Sequence, residues 1–244
     1  MNFLLSNDDG YQAPGLKVLA EALSSIGKVV IVAPEENKSA SSSSLTLKKP
    51  LTINEVSKDI YFIDGTPTDC VHIALSGLLK FKPDMVISGI NDGPNMGDDT
   101  IYSGTVAAAM EGYLLDIPSI AVSMSRYEPK HFPTAAQVVL DLIPKYINLK
   151  QPLLLNINVP DLPYSSIEGT RITRLGKRHK AEPIIHHPNE NNKAMYWVGA
   201  AGEPNDGGDG TDFFAIKNNC VSISPIISDL TNHEKLDLLN RELI

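Results

Sequence analysis

The 244-residue sequence predicts an α/β fold with a mostly parallel sheet and helices on both of its faces. Two features of the chain carry that expectation. Its short apolar runs are continuous rather than alternating, as in strands covered on both sides. Stretches of helical periodicity separate these runs through the first 125 residues.

The first run is NFLLS at 2–6. In the GLKVLAEALSSIG that follows, Leu16, Leu19, Ala20, Leu23 and Ile26 recur at three- and four-residue steps, and Gly27 stands where a helix stops. KVVIVAP at 28–34 reads as the second strand. A helix over Thr68–Lys80 sets Val71, Ala74, Leu75 and Leu78 on one face, with Thr66 or Thr68 as its cap. DMVISGI at 84–90, a helix over about 105–115 and SIAVSM at 119–124 continue the βαβ rhythm. A Rossmann-like core with right-handed crossovers follows.

Beyond Ser125 the pattern loosens. A helix is expected from Thr134 to about Ile143, ended or kinked by Pro144, and then the strand LLLNINV at 153–159, closed by Pro160. Short β-prone segments over 169–230, divided by Gly, Asn and Asp, read as hairpins outside the main sheet. The last helix, TNHEKLDLLNRELI, opens with Thr231 and Glu234 in capping-box spacing and carries Leu236, Leu239 and Leu243 as a stripe. The expected division is a Rossmann-like core over 1–160, a hairpin-rich arm over 161–230 and a C-terminal helix over 231–244.

Composition excludes several function classes. A net charge of −8 and a pI near 5.2 argue against a grip on duplex nucleic acid, which requires many Lys and Arg contacts to phosphates. A small phosphorylated ligand remains compatible with that charge. Cys70 and Cys220 are the only cysteines and have no CxxC spacing, so neither a disulfide framework nor a thiolate metal site is indicated. The apolar runs fall far short of the roughly 20 residues of a membrane helix, and no basic start leads into an apolar signal segment. A cytoplasmic protein without a membrane partner is expected.

In open α/β sheets ligands bind beyond the carboxyl ends of the strands. Four segments lie there: SNDDG at 6–10, PEENKSASSSS at 34–44, SGINDGPNMG at 88–97 and SGTVAAA at 103–109. Their oxygens suit a hard divalent cation, Mg²⁺ or Mn²⁺, with charge from Asp8 and Asp9 and neutral donors from Ser39 and Asn91. Ser103, Gly104 and Thr105 precede a helix and could hold an anion at its positive end. Each segment also has a plain structural reading: DDG as a turn, SASSSS as a flexible loop, SGINDGPN as a tight turn, SGT as a helix cap. Their joint occurrence at consecutive strand ends favours the site.

Other candidates are weaker. No GxGxxG or GxxxxGK[ST] occurs, so dinucleotide and nucleoside-triphosphate loops are unsupported. His186 and His187 are adjacent and poorly spaced for one metal, and His72 reads as structural. The basic string Arg171, Arg174, Lys177, Arg178 and Lys180 is either a solvated strand edge or an attractor for an anionic substrate.

The ordered motifs LLSNDDG, APGL, IVAPEENKSA, SLTL, GTPTDC, SGINDGPNMGDDTIYSGTVAAAMEG, LNINVPDLP, GTDF and CVSISPI resemble the SurE survival-protein phosphatases along nearly the whole chain. The resemblance implies a divalent metal and hydrolysis of nucleoside 5′- and 3′-monophosphates, with short polyphosphate as a further substrate in some members. It implies Asp8, Asp9, Ser39 and Asn91 as metal ligands and Asn95, Ser103, Gly104 and Thr105 around the phosphate. It also implies a homodimer or homotetramer with exchanged C-terminal arms. One position departs: Ser43 stands where the family usually has Asn or His. The expected mechanism is water attack on a phosphomonoester assisted by the cation, with Asp8 or Asp9 orienting or deprotonating the water. The alternatives are a non-catalytic, metal-dependent nucleotide sensor and a hydrolase acting chiefly on polyphosphate.

Overall fold

A computed structural model of the chain describes residues 1–147, 149, 153–178, 183–187, 195–197 and 202–243. Its strands in chain order are β1 (Asn2–Ser6), β2 (Lys28–Pro34), β3 (Ile53–Ser57), β4 (Ile60–Ile63), β5 (Met85–Asn91), β6 (Ser119–Met124), β7 (Leu154–Val159), β8 (Gly169–Ile172), β9 (Ile185–His187), β10 (Met195–Trp197) and β11 (Cys220–Ile226). The helices are α1 (Pro14–Ser24), α2 (Pro67–Ile73), α3 (Gly104–Leu114), α4 (Phe132–Tyr146), α5 (Asp212–Lys217) and α6 (His233–Leu243).

The main sheet has nine strands in the order β3-β4-β2-β1-β5-β6-β7-β11-β8. From β4 to β7 all neighbours pair in parallel. Alternate side chains of β1 enter two cores: Phe3 and Leu5 pack with the buried leucines of α1, while Leu4 packs with Val71 and Ala74 on the other face. This is why NFLLS is continuous rather than alternating, and each such fully buried side chain contributes about 1.5–3 kcal/mol. The helices α1 and α4 cover one face, and α2 and α3 the other. The chain leaves β1 toward one face and β5 toward the opposite face, which opens a crevice at the carboxyl ends of this pair.

Several boundaries differ from expectation. The helix expected over 68–80 ends at Ile73 and widens into a π-turn over Ala74–Leu78, closed by Leu79 N donating to Ala74 O at 3.0 Å. Thr66 caps it in a reciprocal box with Asp69, whose carboxylate also accepts from Thr46 N at 2.8 Å and Thr46 Oγ1 at 2.7 Å. Pro144 does not end α4, which runs on to Tyr146: that side chain is buried, donates its hydroxyl to Leu153 O and accepts from Leu153 N. The strands β3 and β4 were not foreseen, because their side chains are mostly half-buried or exposed and give no clear periodicity. The helix α6 begins at His233 and has no buried residue, so the stripe Leu236, Leu239 and Leu243 faces solvent in the single chain.

The expectation that 169–230 lies outside the main sheet is corrected. The strand β11 pairs antiparallel with β7 and parallel with β8, so both continue the sheet at its far edge. CVSIS is buried on both faces like the other core strands, and its continuous apolar character belongs to that environment rather than to a hairpin. Among the described residues, β9 and β10 form a separate two-stranded pair. Lys180 lies outside the described residues. The His186 ring meets Tyr196 edge-to-face at 5.4 Å. Both cysteines are free and buried, and burial pushes the Cys70 thiol up.

A buried carboxylate ties this last third to the crevice. Asp212 is fully buried; Oδ2 accepts from Gly97 N at 2.7 Å, and Oδ1 accepts from Gly176 N and Phe213 N, each at 2.9 Å. Hydrogen bonds to a charged group are worth more than neutral ones, and orphaned buried amides are costly. Asp212→Ala should therefore lower unfolding free energy by about 3 kcal/mol in urea titrations; a loss under 1 kcal/mol would show that water replaces the carboxylate.

Candidate active site

The end of β1 delivers Ser6, Asn7 and Asp8 into buried positions, and Asn7 Nδ2 closes the following turn by donating to Gly10 O at 2.9 Å. Asp8 is 4 % exposed. One of its carboxylate oxygens accepts from the Thr105 hydroxyl, and the amides of Gly104 and Thr105 at the start of α3 face the same carboxylate. Burial nevertheless raises the Asp8 pKa above its ordinary value, against the opposing effect of those donors. Asp9 accepts from Asp92 N at 3.1 Å, and its pKa is pushed up to about 6 by burial first, then by the negative charges of Asp8 and Asp92.

At the end of β5, Gly89 has φ +130°, and a Cβ there would lie 2.3 Å from Val122 O, so only glycine lets the strand take this path to Asn91. Asn91 Nδ2 donates to Gly93 O at 2.9 Å, which turns Oδ1 toward Thr105 Oγ1 at 3.2 Å. The single Thr105 hydroxyl proton is thus faced by Asp8 Oδ1 and Asn91 Oδ1, leaving two oxygen donors side by side with lone pairs to spare. Gly104 packs against the pair: a Cβ there would be 2.8 Å from Asp8 Cβ and 2.8 Å from Ser41 Oγ.

A cleft of about 240 Å³ lies over these residues, lined by Asp8, Ser39, Asn91, Asp92, Asn95 and Ser103 together with Ala40, Pro94, Asp99, Tyr102 and Tyr127. Three carboxylates line it and, among the described residues, no Lys, Arg or His does. Ser39 is exposed, and its N and Oγ both donate to Asn37 Oδ1, at 2.8 and 2.6 Å. Asp9 is not among the residues that line the cleft, and is joined to the lining through Asp92 N. Ser103 lines it while its Oγ caps α3, accepting from Val106 N at 3.1 Å. The structure therefore gathers Asp8, Asn91, Asn95, Ser39 and Ser103 around one space, and turns the amides of Gly104 and Thr105 onto Asp8.

The residues that hold the expected ones in place, Ser123, Asn156 and Asn158, and the buried Ser41 escaped the sequence reading. Asn95 is held from three sides: its N donates to Asn158 Oδ1 at 2.9 Å, its Nδ2 to Ser123 Oγ at 2.8 Å, and its carbonyl accepts from Asn156 and Asn158. The signal was present, since two asparagines alternate with apolar residues in LLLNINV and so share one face of a buried strand. Ser41 Oγ is buried beside Gly104 without a hydrogen-bond partner, which no sequence pattern marks. Of the basic string, Arg178 reaches the crevice wall, bonding Asp99 and lying over the Phe213 ring at 5.1 Å. Arg174 pairs with Asp206 at 2.6 Å and Arg171 with Asp209 at 3.9 Å, so these charges are spoken for within the chain. His72 pairs with Glu111 at 2.7 Å, consistent with a structural role.

With this geometry in view, the family model described as Survival protein SurE matches residues 3–182. The chain belongs to the SurE family. The "5′-nucleotidase SurE" of Methylobacillus flagellatus is 56 % identical over 237 residues, covering 96 % of each chain. That of Nitrosomonas eutropha is 54 % identical over 246 residues and covers 100 % of both. The crystal structure of the SurE protein from Aquifex aeolicus superposes with a TM-score of 0.89 at 43 % identity, covering 99 % of each chain. The SurE fold thus extends over the crevice and over the sheet continuation through β11.

The SurE crevice is bordered by residues 125–131. Glu128 N donates to Asp92 Oδ1 at 2.7 Å, and the segment is anchored by Asp161, which accepts from Lys130 N and His131 N at 2.9 Å and lies 3.0 Å from His131 Nδ1. Burial opposes ionisation of Asp161, but these bonds overcome it and hold its pKa below the ordinary value.

Two outcomes follow from these charges. In the presence of chelator at pH 7.5, Asp9→Asn should melt roughly 2–6 °C above the wild type, reflecting about 1–2 kcal/mol after solvent screening of this part-exposed group; a variant that melts lower would contradict the like-charge strain. Asp161 has a folded pKa below its unfolded one, so its stabilisation is present above the ordinary carboxylate range and is lost as pH falls through the folded value. Asp161→Asn should thus cost about 1 kcal/mol at pH 7, and the gap from wild type should narrow as pH falls below the ordinary carboxylate range in thermal melts; a pH-independent gap would assign the loss to packing.

Proposed function

We propose that this chain is a metal-dependent phosphomonoesterase acting on nucleoside 5′- and 3′-monophosphates. The carrying observation is a cleft lined, among the described residues, by three carboxylates and no cationic side chain, beside a desolvated Asp8–Asp9 pair. A phosphate dianion entering such a cleft needs a positive charge, and Arg178 at its wall is already paired with Asp99. Asp8, Asp9, Ser39 and Asn91 would hold one divalent cation, Mg²⁺ or Mn²⁺. Among the described residues no three His, Cys, Asp or Glu side chains group to bind a metal, so the set rests on two carboxylates and neutral oxygens. That composition suits Mg²⁺, which keeps several waters and takes one or two carboxylates.

When bound, the cation supplies charge to a phosphoryl oxygen and lowers the pKa of a water. The chain's own residues do the positioning. Thr105 and the first amides of α3 fix Asp8, the Asn95 side chain is locked by Ser123 and its backbone by Asn156 and Asn158, and Ser103 presents a polar wall. In the hydrolysis one bond forms between the water oxygen and phosphorus while the ester P–O bond breaks; the water's proton would pass to Asp8 or Asp9, and the departing sugar oxygen takes a proton from solvent to leave as the nucleoside hydroxyl. The names of the relatives, 5′-nucleotidase SurE, support a nucleotide as the substrate.

No helix among the described residues is long and apolar enough to cross a membrane, and we read the protein as cytoplasmic. The exposed leucine stripe of α6 supports a homodimer or homotetramer in which C-terminal arms are exchanged. Short polyphosphate is a weaker substrate reading, because Arg171, Arg174 and Arg178 already pair with carboxylates. The deciding experiment is phosphate release from all nucleoside monophosphates and short polyphosphate, with Mg²⁺ or Mn²⁺ and in chelator. Release should require metal and fall by about 10²-fold or more in Asp9→Asn. Saturating metal should raise the wild-type melting temperature and leave that of Asp9→Asn nearly unmoved. Metal-dependent nucleotide binding without release would instead identify a sensor, and full activity of Asp9→Asn would remove the site.

A further inference from the structure

Resting on that reading, we propose that Tyr102 and Tyr127 form the nucleobase subsite, stacking on the base of a nucleoside monophosphate whose phosphate lies on the floor of the cleft. The cleft measures about 240 Å³, below the roughly 300–1,000 Å³ of pockets that enclose a drug-sized ligand. It has room for the phosphate and part of the sugar, and the rest of the substrate must lie at the mouth. There the lining changes character. Asp8, Asn91, Asn95 and Ser103 are polar and, except for the part-buried Asn91, buried, whereas Tyr102 is 63 % and Tyr127 71 % exposed. Among the described residues neither phenol has a hydrogen-bond partner, so neither ring is spent on holding the fold in the way Tyr146 is.

Both rings are nevertheless placed with care. Tyr127 rests on Gly93, where φ is +121° and a Cβ would lie 2.4 Å from Cε1 and 2.6 Å from Cδ1 of the ring. A side chain at 93 would therefore push the ring off its seat. Its segment is fastened just beyond the ring, to the glycine's loop by Glu128 N on Asp92 and to Asp161 by residues 130 and 131. Tyr102 ends the 3₁₀ turn Gly97–Tyr102 and immediately precedes the α3 cap Ser103; its carbonyl accepts from Ser42 N at 3.3 Å. The two aromatic side chains thus come from rigidly tethered segments and converge on one opening. Stacking on exposed aromatic rings binds any base, since every base offers a π-face, and is worth about 1–3 kcal/mol per base. It suits a cleft in which Arg178, the cation at the wall, is already paired with Asp99. The inferred specificity is for a monophosphate ester carrying a planar base, with little discrimination among bases.

The test compares Tyr102→Ala, Tyr127→Ala and the matching Phe variants on adenosine 5′-monophosphate and on ribose 5-phosphate, which has the same ester and no base. For each Ala variant KM for the nucleotide should rise about tenfold relative to the change on ribose 5-phosphate, with kcat within a factor of two, and each Phe variant should restore wild-type KM. Equal changes on both substrates, or no change on the nucleotide, would overturn the proposal. Should the wild type release phosphate from neither ester, the phosphatase reading fails by itself. Calorimetric binding of adenosine 5′-monophosphate in Mn²⁺ then decides the subsite: about tenfold weaker binding in the Ala variants sustains it, and unchanged binding overturns it.

Discussion

Two neighbouring carboxylates at the end of β1 set the terms for the rest of the molecule. Placing Asp8 and Asp9 at the crevice between oppositely directed crossovers is electrostatically unfavourable, as the upward shifts of both show. The surrounding residues limit that cost without neutralising it. The Thr105 hydroxyl and the first amides of α3 face Asp8, while Asp9 receives one amide, from Asp92. Among the described residues no cationic side chain lines the cleft over this pair; one there would have offset the charge and filled the space that the proposed cation requires.

The neutral donors depend on backbone geometry as much as on side chains. Asn91 is aimed by the glycine path through residue 89 and by its own amide bond to Gly93. Asn95 is gripped by polar side chains that project from the interiors of β6 and β7. Such buried amides are costly unless paired, and here most of their donors and acceptors are used to fix one short loop. The strands therefore both bury the apolar core and carry the struts of the site on the same segments.

Much of this was legible in the chain. The runs NFLLS, KVVIVAP and SIAVSM are strands with the boundaries their composition suggests, because burial on both faces leaves an unbroken apolar signature. The Asp8, Ser39, Asn91 and Ser103 grouping was legible too, since strand ends of a parallel sheet converge in space. Less legible were β3 and β4, whose exposure removes any clear periodicity, and the place of β11, whose pairing with β7 spans more than sixty residues. Neither propensity nor periodicity encodes such distant partners. The use of the α3 amides was also hidden: a helix start beside an acidic turn is equally suited to an external anion and to the turn's own carboxylate.

The buried Asp212 carboxylate holds Gly97, at the start of the wall that ends in Tyr102, across a sequence separation of 115 residues, and binds Gly176 as well. Residues 1–160 hold every proposed metal and phosphate ligand but not this tie, so a fragment cut at that point would carry the ligands while leaving the Gly97 amide without its acceptor. In a chain emerging from its N-terminus the cleft is thus the first feature specified and among the last to be completed. Synthesis order and the assembly of the catalytic wall run in opposite senses.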